Sequence, residues 1–449
     1  MVFFAGMNME LRQALREIIL DRQQMELEGS TPRDLVIEPY EKKVSICMGV
    51  RRCGKSTLME GIVAGLRKKR VARENIVWLN FMDDRLVALE EGDWNDLYEA
   101  YYSLYPEKRR KEKVYFIFDE MQDYPGWQLF IERLRRDEKC EIYLTGSSSI
   151  LLSKEIATCL RGRTMTWELY PFSFGECLSR AGVSRRVGRL STTQRMEVLR
   201  AWEDYKQTGG FPEVYGLSAE RRRQLHQEYF SSILYHDVVE RNAVGQPLVL
   251  RSLARRMLNQ VGTLLSISKL CKDFSSMGYS VSRETISQYV QWLEDAFFLI
   301  TVPAFSASMG EQQRRMHKVY CTDHAMAASL GARITANIGQ MLENIVCVEL
   351  RRHTHDLYYY TTQNKYEVDF LATLPSGERH LVQVCHAMDN ATTRRRELRA
   401  LTTAMQEAGI KNAWMVTEGH EEDIPTPHGT IHALPAWKWL LTFGECGGH

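Results

Sequence analysis

The stretch GVRRCGKST, residues 49–57, follows the apolar run VSICM and leads into TLMEGIVAGLRKK, whose apolar spacing is helical. It fits G-x-x-x-x-G-K-[ST], with Gly49, Gly54, Lys55 and Ser56 at the four defined positions. Glycines let the backbone curl until its N–H groups face a phosphate, and the start of the next helix adds positive potential. Lys55 is expected to reach the β- and γ-phosphates and the Ser56 hydroxyl to ligate Mg²⁺. Arg52, Cys53 and Thr57 complete the cradle. A strand, this loop and a helix in succession predict a site for ATP and Mg²⁺ in a parallel α/β sheet.

Such a site also needs a carboxylate for the metal and a base for the attacking water. VYFIFDE, residues 114–120, supplies both at the end of an apolar run: Asp119 for the metal, through its bound water, and Glu120 as general base. The next apolar run ends in LTGSSS, placing Thr145, Ser147 and Ser148 where a γ-phosphate sensor would sit. Strand-end hydroxyls are also ordinary turn residues, so both readings stand. LRGR, residues 160–163, adds Arg161 and Arg163. Each suits either the stabilisation of transition-state charge, often from a neighbouring subunit, or a structural ion pair.

Apolar runs at 44–49, 75–81, 114–118, 141–145 and 164–170 alternate with helix-period segments. This predicts a doubly covered parallel sheet over residues 40–200, preceded by a charged helix at 8–27 within an N-terminal segment, 1–39. Strands then nearly vanish. Helical patterns at 193–207, 218–242, 247–262, 266–276 and 282–298 define a middle region, 201–315. The last two, with Ser282 as N-cap of the second, resemble a helix-turn-helix, and AFFLITVPAF would add a wing strand. Arg283, Gln288 and Gln291 would then face a DNA groove, although winged helices serve equally as protein-binding modules. From 316 to 449 strand patterns return around helices at 338–352 and 392–408, a further α/β domain.

A chain of 449 residues is too long for one ordinary core. With 58 basic and 57 acidic residues, net charge points to neither nucleic acid nor membrane. Ten cysteines without CxxC pairs fit reduced thiols, and no apolar run nears the ~20 residues of a bilayer span. A cytoplasmic protein without a membrane partner is the expectation. The histidines show no paired zinc spacing.

GVRRCGKSTL, LNFMDDRL, FIFDEMQ, LTGSSSILLSKEIATCLRGR, YPFSFGE and GGFPEV together resemble the prokaryotic AAA+-like P-loop ATPases. These carry a C-terminal domain of unknown function related to the PD-(D/E)xK nucleases. YHDVVER, SRETISQYVQWLEDAFFL, KVYCTD, LENIVCVELRR and YEVDF extend the resemblance over residues 44–440. It implies an additional-strand P-loop core, a winged-helix-like middle and a restriction-endonuclease-like end. It also implies that Arg163 is the favoured arginine. Nucleases of that last fold use a helix acid, a strand Asp and an acid-x-Lys pair. Glu343, or less readily Glu349, matches the helix acid, and Asp369 matches the strand Asp. Gln383 stands in the acid position of the pair, and Cys385 replaces the lysine. A mostly neutral thiol cannot supply an ammonium charge, so a degenerate site is expected unless Lys365 swings in. The whole reads as a Mg-dependent ATPase acting on an unidentified protein or nucleic-acid partner, with DNA possible through the middle or C-terminal region. A trans-acting arginine would make it a homo-oligomer. The alternatives are an ATP-gated binding switch with little turnover and an ATP-regulated DNA nuclease.

Overall fold

Val44–Met48 (β1) is buried at every position, as a central strand covered on both faces must be. Four parallel neighbours complete its sheet: Ile76–Asn80 (β2), Val114–Asp119 (β3), Cys140–Gly146 (β4) and Thr164–Glu168 (β5), in the order β2-β3-β4-β1-β5. One strand, β4, separates the loop-bearing strand from the strand that ends in Asp119. The computed structural model describes residues 2–446 except 28, 88, 150–159, 161, 189, 307, 309, 311, 313–314 and 332–337.

Lys55–Lys68 (α2), Trp94–Leu104 (α3) and Trp127–Asp137 (α4) connect these strands. The N-terminal helix Val2–Gln24 (α1) is no separate domain: it packs on β2 and α3. Leu15, Ile18 and Ile19 are buried, and Arg12 Nε donates to Asp96 at 2.7 Å. The Gln23 amide also reaches the Ile76 carbonyl at 3.2 Å.

The first compact unit ends at Leu169, not near residue 200, and the second runs from Tyr170 to the C-terminus. Phe174–Arg180 (α5), opened by a Ser173/Glu176 capping box, therefore belongs to the second unit. The middle and C-terminal regions both lie within this second unit. Helices Thr192–Thr208 (α6), Ala219–Ser232 (α7) and Pro247–Leu258 (α8) follow, with α7 continuing as a π-helix over Ile233–Glu240. GGFPEV forms the turn after α6. The Gly210 N–H donates to Asp323 at 2.7 Å, and a Cβ on Gly210 would lie 2.3 Å from the Phe172 carbonyl oxygen.

Thr263–Leu264 (β6), Ile267–Ser276 (α9), Arg283–Asp295 (α10) and Leu299–Val302 (β7) come next, Ser282 capping α10 as its sequence suggests. Lys318–Cys321 (β8) pairs antiparallel with both β6 and β7. After His324–Leu330 (α11) and Ile338–His353 (α12) comes a six-stranded mixed sheet. Its strands are Leu357–Thr361 (β9), Glu367–Thr373 (β10), Arg379–Cys385 (β11), Asn412–Thr417 (β12), Glu422–Thr426 (β13) and Gly429–Pro435 (β14), in the order β13-β14-β12-β11-β10-β9. Ala391–Ala408 (α13) covers one face through a core that includes Leu371, Leu381, Leu401, Met405 and Met415. Ala436–Cys446 (α14) closes the chain.

Candidate functional site

The phosphate loop leaves the carboxyl end of β1 and enters α2 through Gly54, whose φ of 100° only glycine adopts easily. Gly49 is required for a different reason: a Cβ there would lie 2.1 Å from the Leu169 carbonyl oxygen. Arg52 takes a φ of 70°, and Arg52, Ser56 and Thr57 are exposed, while Cys53 is enclosed. Burial pushes the Cys53 thiol up, so the residue serves through its backbone rather than as a thiolate.

Lys55 is 5% exposed. Its ammonium donates to the Gly49 and Val50 carbonyls at 3.0 and 3.3 Å and lies 3.4 Å from Glu120 Oε1. Burial is the largest influence and opposes the charge, but Glu120, the Cys53 and Cys47 thiols and Asp119 together outweigh it and raise the lysine above its ordinary range.

Ser56 Oγ donates to Asp119 Oδ2 at 2.6 Å, and the Thr145 hydroxyl donates to the other Asp119 oxygen. Burial lifts the Asp119 carboxyl despite these bonds. Glu120 moves the other way. Burial alone would raise it, yet the Lys55 charge and the amide of Gln122 leave it below the usual carboxylate range. Ser56 Oγ and Asp119 Oδ2 form a pair of hard oxygen donors that fits Mg²⁺. The Ser147 N–H meets Glu120 Oε2 at 3.3 Å, so the strand-end hydroxyl residues lie against the carboxylates.

Of the two expected arginines, Arg163 does not join this group. Arg161 lies outside the described residues. The Arg163 carbonyl accepts from Val44 N–H at the amino end of β1, and its guanidinium pairs with Glu132 at 2.8 Å. The loop leaves the other end of that five-residue strand, roughly 16 Å away. Arg163 is thus no part of its own protomer's site. A nearer guanidinium is Arg33, which donates to the Cys53 carbonyl at 2.8 Å. Nothing in its local sequence marks it.

A second ionic cluster lies in the other unit. β10 shifts register against β9 between Val368 and Leu371, the stretch that holds Asp369. Asp369 meets Glu343 of α12 through a shared partner, the Lys318 ammonium, 3.0 Å from each and 2.9 Å from Glu367. The Tyr320 hydroxyl donates to Glu343 at 2.7 Å. Gln383 Oε1 accepts from Asp369 N–H at 3.1 Å, and its amide donates to Glu397 at 2.9 Å. Glu349 instead pairs with Arg352 and His353, and Lys365 sits exposed in the β9–β10 turn.

The expectation that Cys385 leaves this cluster without a cation is therefore corrected: Lys318 supplies one from β8. Cys385 itself is core, its thiol pushed up to about 11 by burial. Both Asp369 oxygens are engaged, one by Lys318 and the other by Val384 N–H. The Lys318 ammonium already stands between Glu343 and Asp369, so the arrangement does not fit a divalent cation. On α10, Arg283, Gln288 and Gln291 are all exposed.

The five-stranded parallel sheet, the loop and the paired carboxyls define a P-loop protein of the AAA type. Residues 41–178 match the AAA domain family, 199–338 a domain of unknown function (DUF8612) and 338–439 another (DUF4143). An uncharacterized protein of Methanocaldococcus jannaschii is 31% identical over 438 residues, 95% of each chain, and this chain belongs to its family. An uncharacterized Haemophilus influenzae protein is 30% identical over 73% of this chain and 79% of its own. Among solved structures, a Walker-type ATPase of Pyrococcus abyssi aligns with 68% of this chain and 99% of its own, at 13% identity and a TM-score of 0.41. No described helix is long and apolar enough to cross a membrane.

Proposed function

We propose that the protein hydrolyses Mg-ATP at this loop and passes the nucleotide state to its second unit. The observation that carries the reading is the direct ion pair between Lys55 and Glu120. A triphosphate drawing Lys55 onto its β- and γ-oxygens would release Glu120 to accept a proton from water. Bound Mg²⁺, held by Ser56 and Asp119, would neutralise charge on the phosphates. Thr145 and Ser147 would report the γ-phosphate to the Asp119–Glu120 pair.

Support for coupling comes from the exit of β5. Leu169 N–H donates to the Met48 carbonyl at 2.6 Å, immediately before Gly49, and Tyr170 begins the second unit. We read the second unit as a binding module, because Lys318 already satisfies the acids that a nuclease would use for metal. Its partner would be protein, or DNA through Arg283, Gln288 and Gln291, and Arg163 would serve only a neighbouring copy's site.

The test is phosphate release and Mg-ATP titration. Lys55→Ala should lose binding, and Glu120→Gln should bind yet not turn over. Wild-type behaviour in both variants refutes the assignment. Plasmid nicking with Mg²⁺ or Mn²⁺ that Asp369→Ala abolishes refutes the reading of the second unit.

A further inference from the structure

The side chain two residues beyond Glu120 has one half of its amide bound and the other half orphaned. Gln122 Nε2 donates to Glu120 Oε2 at 2.7 Å, while Gln122 Oε1 is buried without a hydrogen-bond partner. An unpaired buried carbonyl is costly and calls for an explanation. A flipped amide gives no relief, since it would set Oε1 against the Glu120 carboxylate.

The backbone explains the pairing. Glu120 takes φ 58° and ψ 39°, a left-handed conformation rare outside glycine, and the short helical turn Met121–Asp123 follows at once. Strain of this kind gathers at functional sites. The turn brings Gln122 back onto the carboxylate whose Oε1 lies 3.4 Å from the Lys55 ammonium and whose Oε2 also accepts from the Ser147 N–H.

We propose that Gln122 positions the attacking water: its N–H fixes Glu120 Oε2, and its Oε1 accepts one hydrogen of the water that Glu120 Oε1 deprotonates. The inference rests on the ATPase reading above and names a further residue for it. With both hydrogens held, the water oxygen presents a lone pair to the γ-phosphorus. The new P–O bond forms as the bond to the β-phosphate oxygen breaks. The electron pair leaves with ADP, and the water's proton passes to Glu120.

The test uses the full chain and measures steady-state phosphate release together with Kd for a non-hydrolysable ATP analogue. Gln122→Ala should lower kcat about 10- to 100-fold, with Kd unchanged within about twofold. Gln122→Glu, the same size but without the donor, should fall as far. In a Glu120→Gln background Gln122→Ala should cost nothing more under single-turnover conditions, because the two groups act as a unit. The inference is overturned by a kcat near wild type in either variant, by a loss carried in Kd, or by independent losses in the double variant. Wild-type turnover that survives Lys55→Ala overturns the ATPase reading as well. Turnover abolished by Lys55→Ala but untouched by Gln122→Ala overturns this inference alone.

Discussion

Replacing Lys318 with methionine should destabilise the second unit severely. The ammonium is 3% exposed and is the shared partner of Glu343 and Asp369, with Glu367 a third but 43%-exposed contact that solvent largely screens. Methionine keeps the stem's packing and removes the charge. Two buried carboxyls then share one pocket without a counter-ion, and breaking a buried pair by deleting one partner costs about 3–5 kcal/mol. At 1.4 kcal/mol per power of ten, opening constants should rise about two to three and a half powers of ten. Native-state hydrogen exchange at the amides of β8 and β10 reads this unit without interference from the AAA domain. Adding Asp369→Asn to Lys318→Met should recover more than half of the loss, because the orphaned charge is gone. A loss below about 1 kcal/mol, or no recovery in the double variant, would refute the account of Lys318 as the neutralising ion.

Other outcomes follow from the same geometry. Burial and the nearby Asp369 raise the Glu343 carboxyl from 4.5 to about 7. Between those values the folded state binds the extra proton, so stability should fall as pH rises through that window, by up to about 3 kcal/mol. Chemical denaturation of Glu343→Gln at pH 5 and pH 7 should show that slope flattened. Gly210→Ala must push a methyl into the Phe172 carbonyl and loosen the N–H bond to Asp323. Thermal melts should show a loss of more than about 3 kcal/mol, or no soluble protein. Gly49→Ala meets the Leu169 carbonyl in the same way and should abolish Mg-ATP binding measured calorimetrically.

Features whose chemistry is local in the chain were legible. The loop, the apolar strand ending in Asp119 and Glu120, and the alternation of strand and helix all announce themselves within a few residues. So do the N-cap at Ser282 and most strands of the C-terminal sheet. β13, EDIPT, escaped because a proline and two acids mask a strand at the sheet's edge, where such residues are tolerated. Lys318 escaped because it reaches Asp369 across 51 residues and Glu343 across 25, and no pattern within KVYCTD distinguishes a lysine bound for a buried cluster from one on the surface. For Arg163 the sequence left a charge-stabilising role and an ion pair both open. Only the pairing of β5 with β1, which sets Arg163 beside the amino end of β1, shows the ion pair with Glu132 within one protomer.

Gly49 joins these threads. Motif reading assigns that glycine to phosphate approach, but its tightest constraint is the Leu169 carbonyl, 2.1 Å from where a Cβ would stand. The first residue of the loop thus packs against the last residue of the first unit, and the neighbouring Met48–Leu169 hydrogen bond ties the same two segments. A loop that shifts when Lys55 leaves its carbonyl contacts for phosphate must either carry Leu169 with it or break that bond. Either way the disturbance falls on the peptide that leads to Tyr170. A P-loop whose only constraint were the nucleotide would have no such consequence, and for that reason the coupling argument rests on this packing contact rather than on the motif.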